Sequence, residues 1–228
     1  MSYKFNLTKY SFLVYGLGET GKSVIRFFKR KRQKNFHIWD DNIIYKKKIN
    51  IKDIIKKVDF IVLSPGISLR KSKFKKELIQ FKDKIITDID LLYLTNKKLK
   101  SIVVTGSNGK STTCKIIHHL LNKMNYNVKL GGNIGTPVLD LKIKKNTFLI
   151  IEASSFQLSY SKYIRPNFAI LLNITNDHLD WHGTKQNYIM SKMRIFSNQK
   201  RSDFAFINNN FKELFKKKKY LSKFIQPK

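Results

Sequence analysis

The stretch Ile102-Val103-Val104-Thr105-Gly106-Ser107-Asn108-Gly109-Lys110-Ser111-Thr112-Thr113 limits what this chain can fold into more than any other. Three apolar β-formers run into a glycine-rich turn, and a helix-compatible segment from Cys114 to Met124 follows. Strand, loop and helix in that order put backbone N–H groups and a helix N-terminus around a polyphosphate. Gly106 and Gly109 let the backbone turn tightly and approach a ligand closely. Lys110 is placed to neutralise β- and γ-phosphate charge, and the Ser111 hydroxyl to ligate Mg²⁺. The standard phosphate-loop pattern has a glycine where this chain has Val104. With Asn108 ahead of Gly109 and Thr112-Thr113 behind Ser111, the loop still reads as an ATP site. Its expected contacts are Gly106, Ser107, Asn108, Gly109, Lys110, Ser111 and Thr112.

At 228 residues and 42% hydrophobic content, the chain can bury one large core or two modest ones. Its one cysteine, Cys114, excludes an intramolecular disulfide, fits a reducing compartment and reads as a small residue on a buried helix face. No stretch approaches the roughly 18 apolar residues of a membrane span. The run Phe12-Leu13-Val14 is too short for a signal peptide. A cytoplasmic location with no membrane partner is expected. A formal charge of +31 would ordinarily point to nucleic acid. Here the lysines are spread along the whole chain among isoleucines, asparagines and phenylalanines, a mixture that codon drift in an AT-rich genome produces. Basic residues on every element make a solvated surface, not a groove, so nucleic acid is not the expected partner.

The order of elements argues α/β throughout. Ser11 to Tyr15 is a short apolar run followed by Gly16-Leu17-Gly18-Glu19-Thr20-Gly21, and then by a helical pattern through Val24, Ile25, Phe27 and Phe28. A second strand, Phe36 to Trp39, ends in Asp40-Asp41. That is about 20 residues past the glycines, where Rossmann-like folds place an acid that reads ribose or base. This fingerprint implies a nucleotide diphosphate without saying which nucleotide. Phe60 to Leu63 is a third buried-type strand, closed by Ser64-Pro65-Gly66, which line a ligand crevice or make a plain turn. Ile85-Ile86 starts another strand and Asp88 to Leu94 a helical turn. The polar run Thr95 to Lys98 then reads as a boundary, dividing the chain into 1–97 and 98–228.

In the second part, Val128 to Leu130 leads into Gly131-Gly132-Asn133, and Phe148 to Ile151 delivers Glu152. Phe168 to Leu172 leads into the run from Asn173 to Gly183, which contains Asp177-His178. Tyr188 to Phe196 is helix-compatible and carries Lys192. Phe204 to Ile207 is the last expected strand, and Phe211 to Lys228 an expected basic helical tail. Glu152 and His178 thus fall just past apolar strands, on the sheet edge that also carries the phosphate loop. A hard cation on phosphate oxygens takes carboxylate and hydroxyl ligands, with imidazole less usual but allowed.

Gly-Ser-Asn-Gly-Lys-Ser-Thr, Gly-Gly-Asn-Ile-Gly, Glu-x-Ser-Ser-Phe-Gln-Leu, Asn-x-x-x-Asp-His-Leu-Asp and Lys-x-Arg-Ile-Phe follow one another in this order. Together they resemble the Mur ligases of peptidoglycan synthesis, from about Tyr10 to Ile207. The Ser-Ser-Phe-Gln-Leu and Asp-His-Leu-Asp forms resemble those of the members that add D-glutamate to UDP-N-acetylmuramoyl-L-alanine. The resemblance implies a Rossmann-like UDP-sugar-binding domain followed by a P-loop-type ATP-binding domain with a mostly parallel sheet. It implies UDP-sugar contacts from Gly18, Glu19, Thr20, Asp40, Asp41, Ser64, Pro65 and Gly66, with Asn133 and Ser154 at the muramoyl-alanine end. Lys110, Lys192 and His178 become the catalytic set. Two Mg²⁺ sites would draw on Ser111, Glu152, His178 and a carbamylated Lys192. The implied reaction is ATP-dependent amide-bond formation through an acyl phosphate.

The same resemblance implies that the chain stops inside the family's second domain. The D-glutamate site would then lie outside it, and activity would need a complementing C-terminal fragment. A non-catalytic UDP-sugar-binding fragment and one half of a split ligase are the alternatives. A nicotinamide oxidoreductase fits Gly16–Gly21 and Asp40 but leaves Lys110, Glu152, His178 and Lys192 without a role. An incomplete central sheet would leave Phe204–Ile207 as an open edge, prone to self-association.

Overall fold

The computed structural model describes residues 5–43, 50–175 and 177–226. Asn176 in the Asn173–Gly183 run, and Pro227 and Lys228 of the tail, lie outside the described residues. Two parallel sheets follow one another along the chain. The first comprises β1 (Phe12–Tyr15), β2 (Phe36–Trp39), β3 (Phe60–Leu63) and β4 (Ile85–Ile86), in the order β2-β1-β3-β4. Phe12 pairs with Phe36 on one side and Phe60 on the other. All four residues of β1 are buried, as expected of a strand covered on both faces. The crossovers carry α1 (Glu19–Arg30), α2 (Ile51–Lys57) and α3 (Lys75–Gln80). After β4, α4 (Asp88–Thr95) starts on a reciprocal cap between Thr87 and Asp90.

The second sheet has the order β10-β9-β8-β5-β7-β6, again all parallel. Its strands are β5 (Lys100–Thr105), β6 (Val128–Gly132), β7 (Phe148–Glu152), β8 (Phe168–Leu171), β9 (Phe204–Ile207) and β10 (Lys223–Ile225). Its helices are α5 (Lys110–Lys123), α6 (Ser155–Tyr160), α7 (Leu179–His182), α8 (Lys185–Met193) and α9 (Lys212–Lys217). β5 lies at the centre, with β7 and β8 on either side. The chain moves to opposite sides of β5 before and after β7, and ligands bind at the carboxyl ends of strands where the order reverses in this way.

The tail corrects two expectations. It is not a single basic helix, because after α9 the chain returns as β10 and pairs with β9, Lys223 opposite Phe204. β9 is therefore covered and is not the open edge. The apolar residues between the lysines drive the return. Phe224 packs on Phe215 at 5.5 Å between ring centroids, and Phe215 packs on Phe196 at 5.4 Å. The Lys223 ammonium lies 5.3 Å from the Phe204 ring centre.

The sheets share packing. Val14, Val62 and Ile86 of the first belong to the same buried cluster as Val103, Leu149 and Ile151 of the second. Asp90 on α4 is fully buried and accepts from the Ser161 hydroxyl at 2.7 Å and from the backbone N–H of Lys162 and Tyr163 at 2.9 and 2.7 Å. A buried carboxylate is tolerated when donors surround it in this way. Asp140, after β6, receives Arg30 of α1 at 3.2 Å.

Candidate active site

The phosphate loop leaves β5 at Thr105 and enters α5 at Lys110. Gly109 sits at φ +81°, the left-handed conformation that a side chain disfavours, and turns the chain into the helix. Asn173, just past β8, grips the loop from the side. Its carbonyl accepts the Ser107 N–H at 2.9 Å, its Oδ1 accepts the Asn108 N–H at 2.9 Å, and its Nδ2 donates to the Asn108 carbonyl at 3.1 Å. The Ser107 hydroxyl accepts the Thr175 N–H at 2.9 Å and meets the Tyr188 hydroxyl at 2.8 Å. Lys110 folds back over the loop, its Nζ donating to the carbonyls of Gly106 and Ser107 at 2.9 and 2.8 Å. Thr112 is exposed on the first turn of α5.

Glu152 emerges at the end of β7 and is buried. One carboxylate oxygen accepts the Ser111 hydroxyl at 2.8 Å, and the other accepts Nδ2 of Asn133 at 3.0 Å. This hydroxyl–carboxylate pair at the head of α5 is a set of hard oxygen donors, which fits Mg²⁺. Among the described residues no three His, Cys, Asp or Glu side chains gather as a ready-made metal site. Phosphate and water oxygens would have to complete the shell, which suits a cation that keeps much of its hydration.

Lys192, on α8, is 2% exposed and reaches the same loop, donating from Nζ to the Gly106 carbonyl at 2.8 Å. The ammonium lies 4.6 Å from the Tyr188 ring centre. Burial first, and the charge of Lys110 second, push the Lys192 pKa down to about 7, against an opposing pull from Asp177. His178 stands further out. It has φ +52°, its Nε2 lies 3.2 Å from an Asp177 oxygen, and its ring is 6.3 Å from that of Tyr188. Tyr188 thus stands against both His178 and Lys192. His182 is buried with Nε2 3.0 Å from the Ser155 hydroxyl, and burial lowers its pKa to about 4, so it is neutral at pH 7.

At the first sheet, the loop after β1 meets the turn after β3, where the Ser64 hydroxyl donates to the Gly16 carbonyl at 2.7 Å. Asp40 Oδ2 accepts the Leu17 N–H at 2.7 Å, and Oδ1 accepts that of Asn42 at 2.9 Å. Asp41 accepts from the Tyr15 hydroxyl at 2.9 Å and the Trp39 indole N–H at 2.8 Å. Gly18 and Glu19 open α1, with Thr20 in its first turn, and Pro65 and Gly66 follow Ser64 in the turn after β3. The two residues expected at the muramoyl-alanine end lie by the second sheet. Asn133 sits on Glu152, and Ser154 caps α6, its hydroxyl accepting the Gln157 N–H at 3.2 Å.

The sequence reading assigned no role to Asn173 or Tyr188. Asn173 ends an apolar strand on the ligand edge, which was the available signal. Tyr188 had none, since its partner Ser107 is 81 positions away.

Comparison with known proteins agrees with this geometry. The family model for the Mur ligase middle domain matches residues 104–225, more than half of the chain. The UDP-N-acetylmuramoylalanine--D-glutamate ligase of Rickettsia felis is 39% identical over 218 residues, covering 88% of this chain and 46% of that protein. The Aquifex aeolicus protein of the same name is 34% identical over 206 residues, covering 90% of this chain and 48% of its own length. The chain therefore spans a little under half the length of these relatives. Among solved structures, a UDP-N-acetylmuramate:L-alanyl-gamma-D-glutamyl-meso-diaminopimelate ligase from Neisseria meningitides aligns with TM-score 0.56 at 16% identity, covering 95% of this chain and 77% of that one. MurF ligase from Thermotoga maritima, in complex with ADP, aligns with TM-score 0.50 at 21% identity, covering 97% and 51%. A phosphate loop at the centre of a parallel sheet, the Ser111–Glu152 pair beside it and the match over residues 104–225 have one common explanation: the chain belongs to the Mur ligase family.

Proposed function

We propose that this chain is the UDP-sugar- and ATP-binding part of a ligase that joins D-glutamate to UDP-N-acetylmuramoyl-L-alanine. Residues 1–97 hold the UDP-sugar and residues 98–228 the nucleotide triphosphate. The observation that carries this reading is the meeting of Lys110, Lys192 and the Ser111–Glu152 pair around one loop. Relatives at 34–39% identity that bear the ligase name support the choice of substrates. A cytoplasmic location is part of this proposal; among the described residues no helix is long and apolar enough to cross a membrane.

In this mechanism the γ-phosphoryl group of ATP passes to the L-alanine carboxylate, giving an acyl phosphate and ADP. The amine of D-glutamate attacks that carbon, the tetrahedral species expels phosphate, and the amine proton passes to solvent. Lys110 leaves its two carbonyl acceptors to neutralise phosphate charge, and the loop N–H groups hold the chain of phosphates in line. Ser111 and Glu152 would hold Mg²⁺, which would supply charge neutralisation on the transferring group. His178 would serve a second metal position, and Asn133 and Ser154 would meet the muramoyl-alanine end. Gly18, Glu19, Thr20, Asp40, Asp41, Ser64, Pro65 and Gly66 form the UDP crevice, in which Asp40 and Asp41 act by fixing the loop.

Lys192 is the site of carbamylation in this reading. Its burial and the neighbouring charge of Lys110 favour the neutral amine, the form that reacts with CO₂. The nitrogen bonds to the CO₂ carbon, a proton leaves to solvent, and the resulting anion sits beside Lys110. ¹³C-bicarbonate NMR should give a carbamate signal that Lys192→Met abolishes.

The D-glutamate site is assigned outside these residues, to a complementing portion. Phosphate release from MgATP and the UDP-sugar should depend on D-glutamate only when that portion is supplied in trans. Turnover by the 228-residue chain alone would overturn this division. Calorimetry should register binding of the UDP-sugar and not of NAD; equal NAD binding would overturn the crevice assignment.

A further inference from the structure

The two faces of the second sheet are covered unequally. Parallel strands are ordinarily packed under helices on both faces. Ala169, Leu171, Ala205 and Ile207 point to the face that carries α6, α8 and α9, and all four are buried. On the opposite face, among the described residues, α5 is the one covering helix, and it lies over β5, β6 and β7. On β8, β9 and β10 that face presents Phe168, Ile170, Phe204, Phe206 and Ile225, all only part-buried. The rings of Phe168 and Phe204 stack at 5.4 Å between centroids, and Phe206 stands in register between Ile170 and Ile225.

α5 is uncovered on the side next to these strands. Cys114, Ile117 and Leu121 turn to the sheet, and among the described residues of this 14-residue helix Cys114 alone is buried. Ile116, Leu120 and Met124, spaced four apart, form a second apolar stripe and are 54, 54 and 63% exposed. Ser111 bonds to Glu152 of β7 and lies half a helical circuit from Leu120, so the stripe is turned away from β7 toward β8. The flank of α5 and the bare strands make a trough with an apolar floor and one apolar wall. Contiguous exposed apolar surface of this kind marks an interaction site.

We propose that this trough seats an amphipathic helix of the complementing carboxyl-terminal portion, with its apolar side on Phe206 and Leu120 and acidic residues along its edges. This rests on the reading that such a portion binds D-glutamate. The chain spans 46% and 48% of the Rickettsia felis and Aquifex aeolicus proteins, so each has ample further length to supply the cover. A helix is the element that parallel strands take on their faces. A second copy would set another +31 against the first, whereas an acidic edge answers the charge and meets Lys223, whose ammonium lies 5.3 Å from the Phe204 ring centre at the end of the trough. Docking there also ties α5, the helix headed by Lys110 and Ser111, to the portion that brings the amine.

The full chain is co-expressed with the carboxyl-terminal half of the Rickettsia felis ligase, and the pair is studied by sedimentation velocity. A one-to-one complex should form. Leu120→Asp and Phe206→Asp should each weaken it about tenfold or more. His119→Asp, which puts the same charge on the exposed outer side of α5, should leave it unchanged. Oxidation of Met124 by peroxide, followed by mass spectrometry, should slow in the complex of the unsubstituted chain. No complex, undiminished affinity in both trough variants, an unprotected Met124, or self-association of the chain alone that those variants abolish would overturn the proposal. D-glutamate-dependent turnover is read separately: a complex seated in the trough that does not turn over upholds the docking site and overturns the proposed function.

Discussion

Lys110 and Lys192 donate to one acceptor, the carbonyl of Gly106, at 2.9 and 2.8 Å. Two ammonium groups are thereby held against the same peptide, one from the helix that follows the loop and one from α8. Burial first, and the charge of Lys110 second, disfavour the ammonium form of Lys192.

Replacing Lys192 with methionine should stabilise the protein in CO₂-free buffer, and more so at low pH. The folded-state pKa, lowered from 10.5 to about 7, means that the unfolded chain binds the extra proton between those values. The penalty is full below about pH 7, on the order of 5 kcal/mol, and fades as pH rises toward the unfolded value. Denaturant melts at pH 6 and pH 10 test this. A gain of the same size at both would show that the lysine is not held near neutrality.

Lys110→Ala removes a charge-assisted contact to phosphate, commonly worth about 1.5–3 kcal/mol. MgATP affinity by calorimetry should fall about tenfold or more, with UDP-sugar binding unchanged. Equal losses for both ligands would mean that the substitution had disturbed the fold instead.

Asn173→Ala removes both side-chain bonds to Asn108 while sparing the backbone bond to Ser107. The loop should lose order before it loses ligands. Amide exchange at Ser107 and Asn108 should quicken, and ATP affinity should drop by about 1–3 kcal/mol with Lys110 still present. Unchanged exchange would show that the clamp is redundant.

Deleting residues 221–228 should make the chain self-associate more than the full chain does. β10 is short and begins with a lysine, which blunts it as an edge, whereas β9 beneath it is Phe-Ala-Phe-Ile. Sedimentation should show larger species for the deletion than for the full chain. A monomeric deletion product would mean that β9 tolerates exposure.

Much of the fold was legible because its signals are local. Apolar runs of four or five residues followed by glycine or polar turns gave β1, β3, β5, β7 and β8. Gly109-Lys110-Ser111 gave the loop, whereas the helix cap that Ser154 makes with Gln157 inside the Ser-Ser-Phe-Gln-Leu motif was not read from the sequence. β10 was not legible, because Phe224 and Ile225 lie in a tail dominated by lysine. Only contact with Phe215, contributed by the preceding helix, gives them a place to bury. Asp40 and Asp41 were visible as acids at a strand end, but not that Leu17, Tyr15 and Trp39 already occupy their oxygens. The clamp on Asn108 by Asn173 spans 65 positions, and no short pattern reports such a pairing.

Because Val14 and Val62 pack in the same cluster as Val103 and Ile151, the two sheets do not slide past one another without opening that cluster. Their carboxyl-end loops also touch, Leu69 on Tyr160 and Arg70 on Gly183. The span between the turn at Gly16 and the turn at Gly109 is therefore set before any ligand arrives. A molecule that must reach both turns at once is measured against a fixed gauge. One that is too short or too long fails on length alone, whatever contacts its two ends could make.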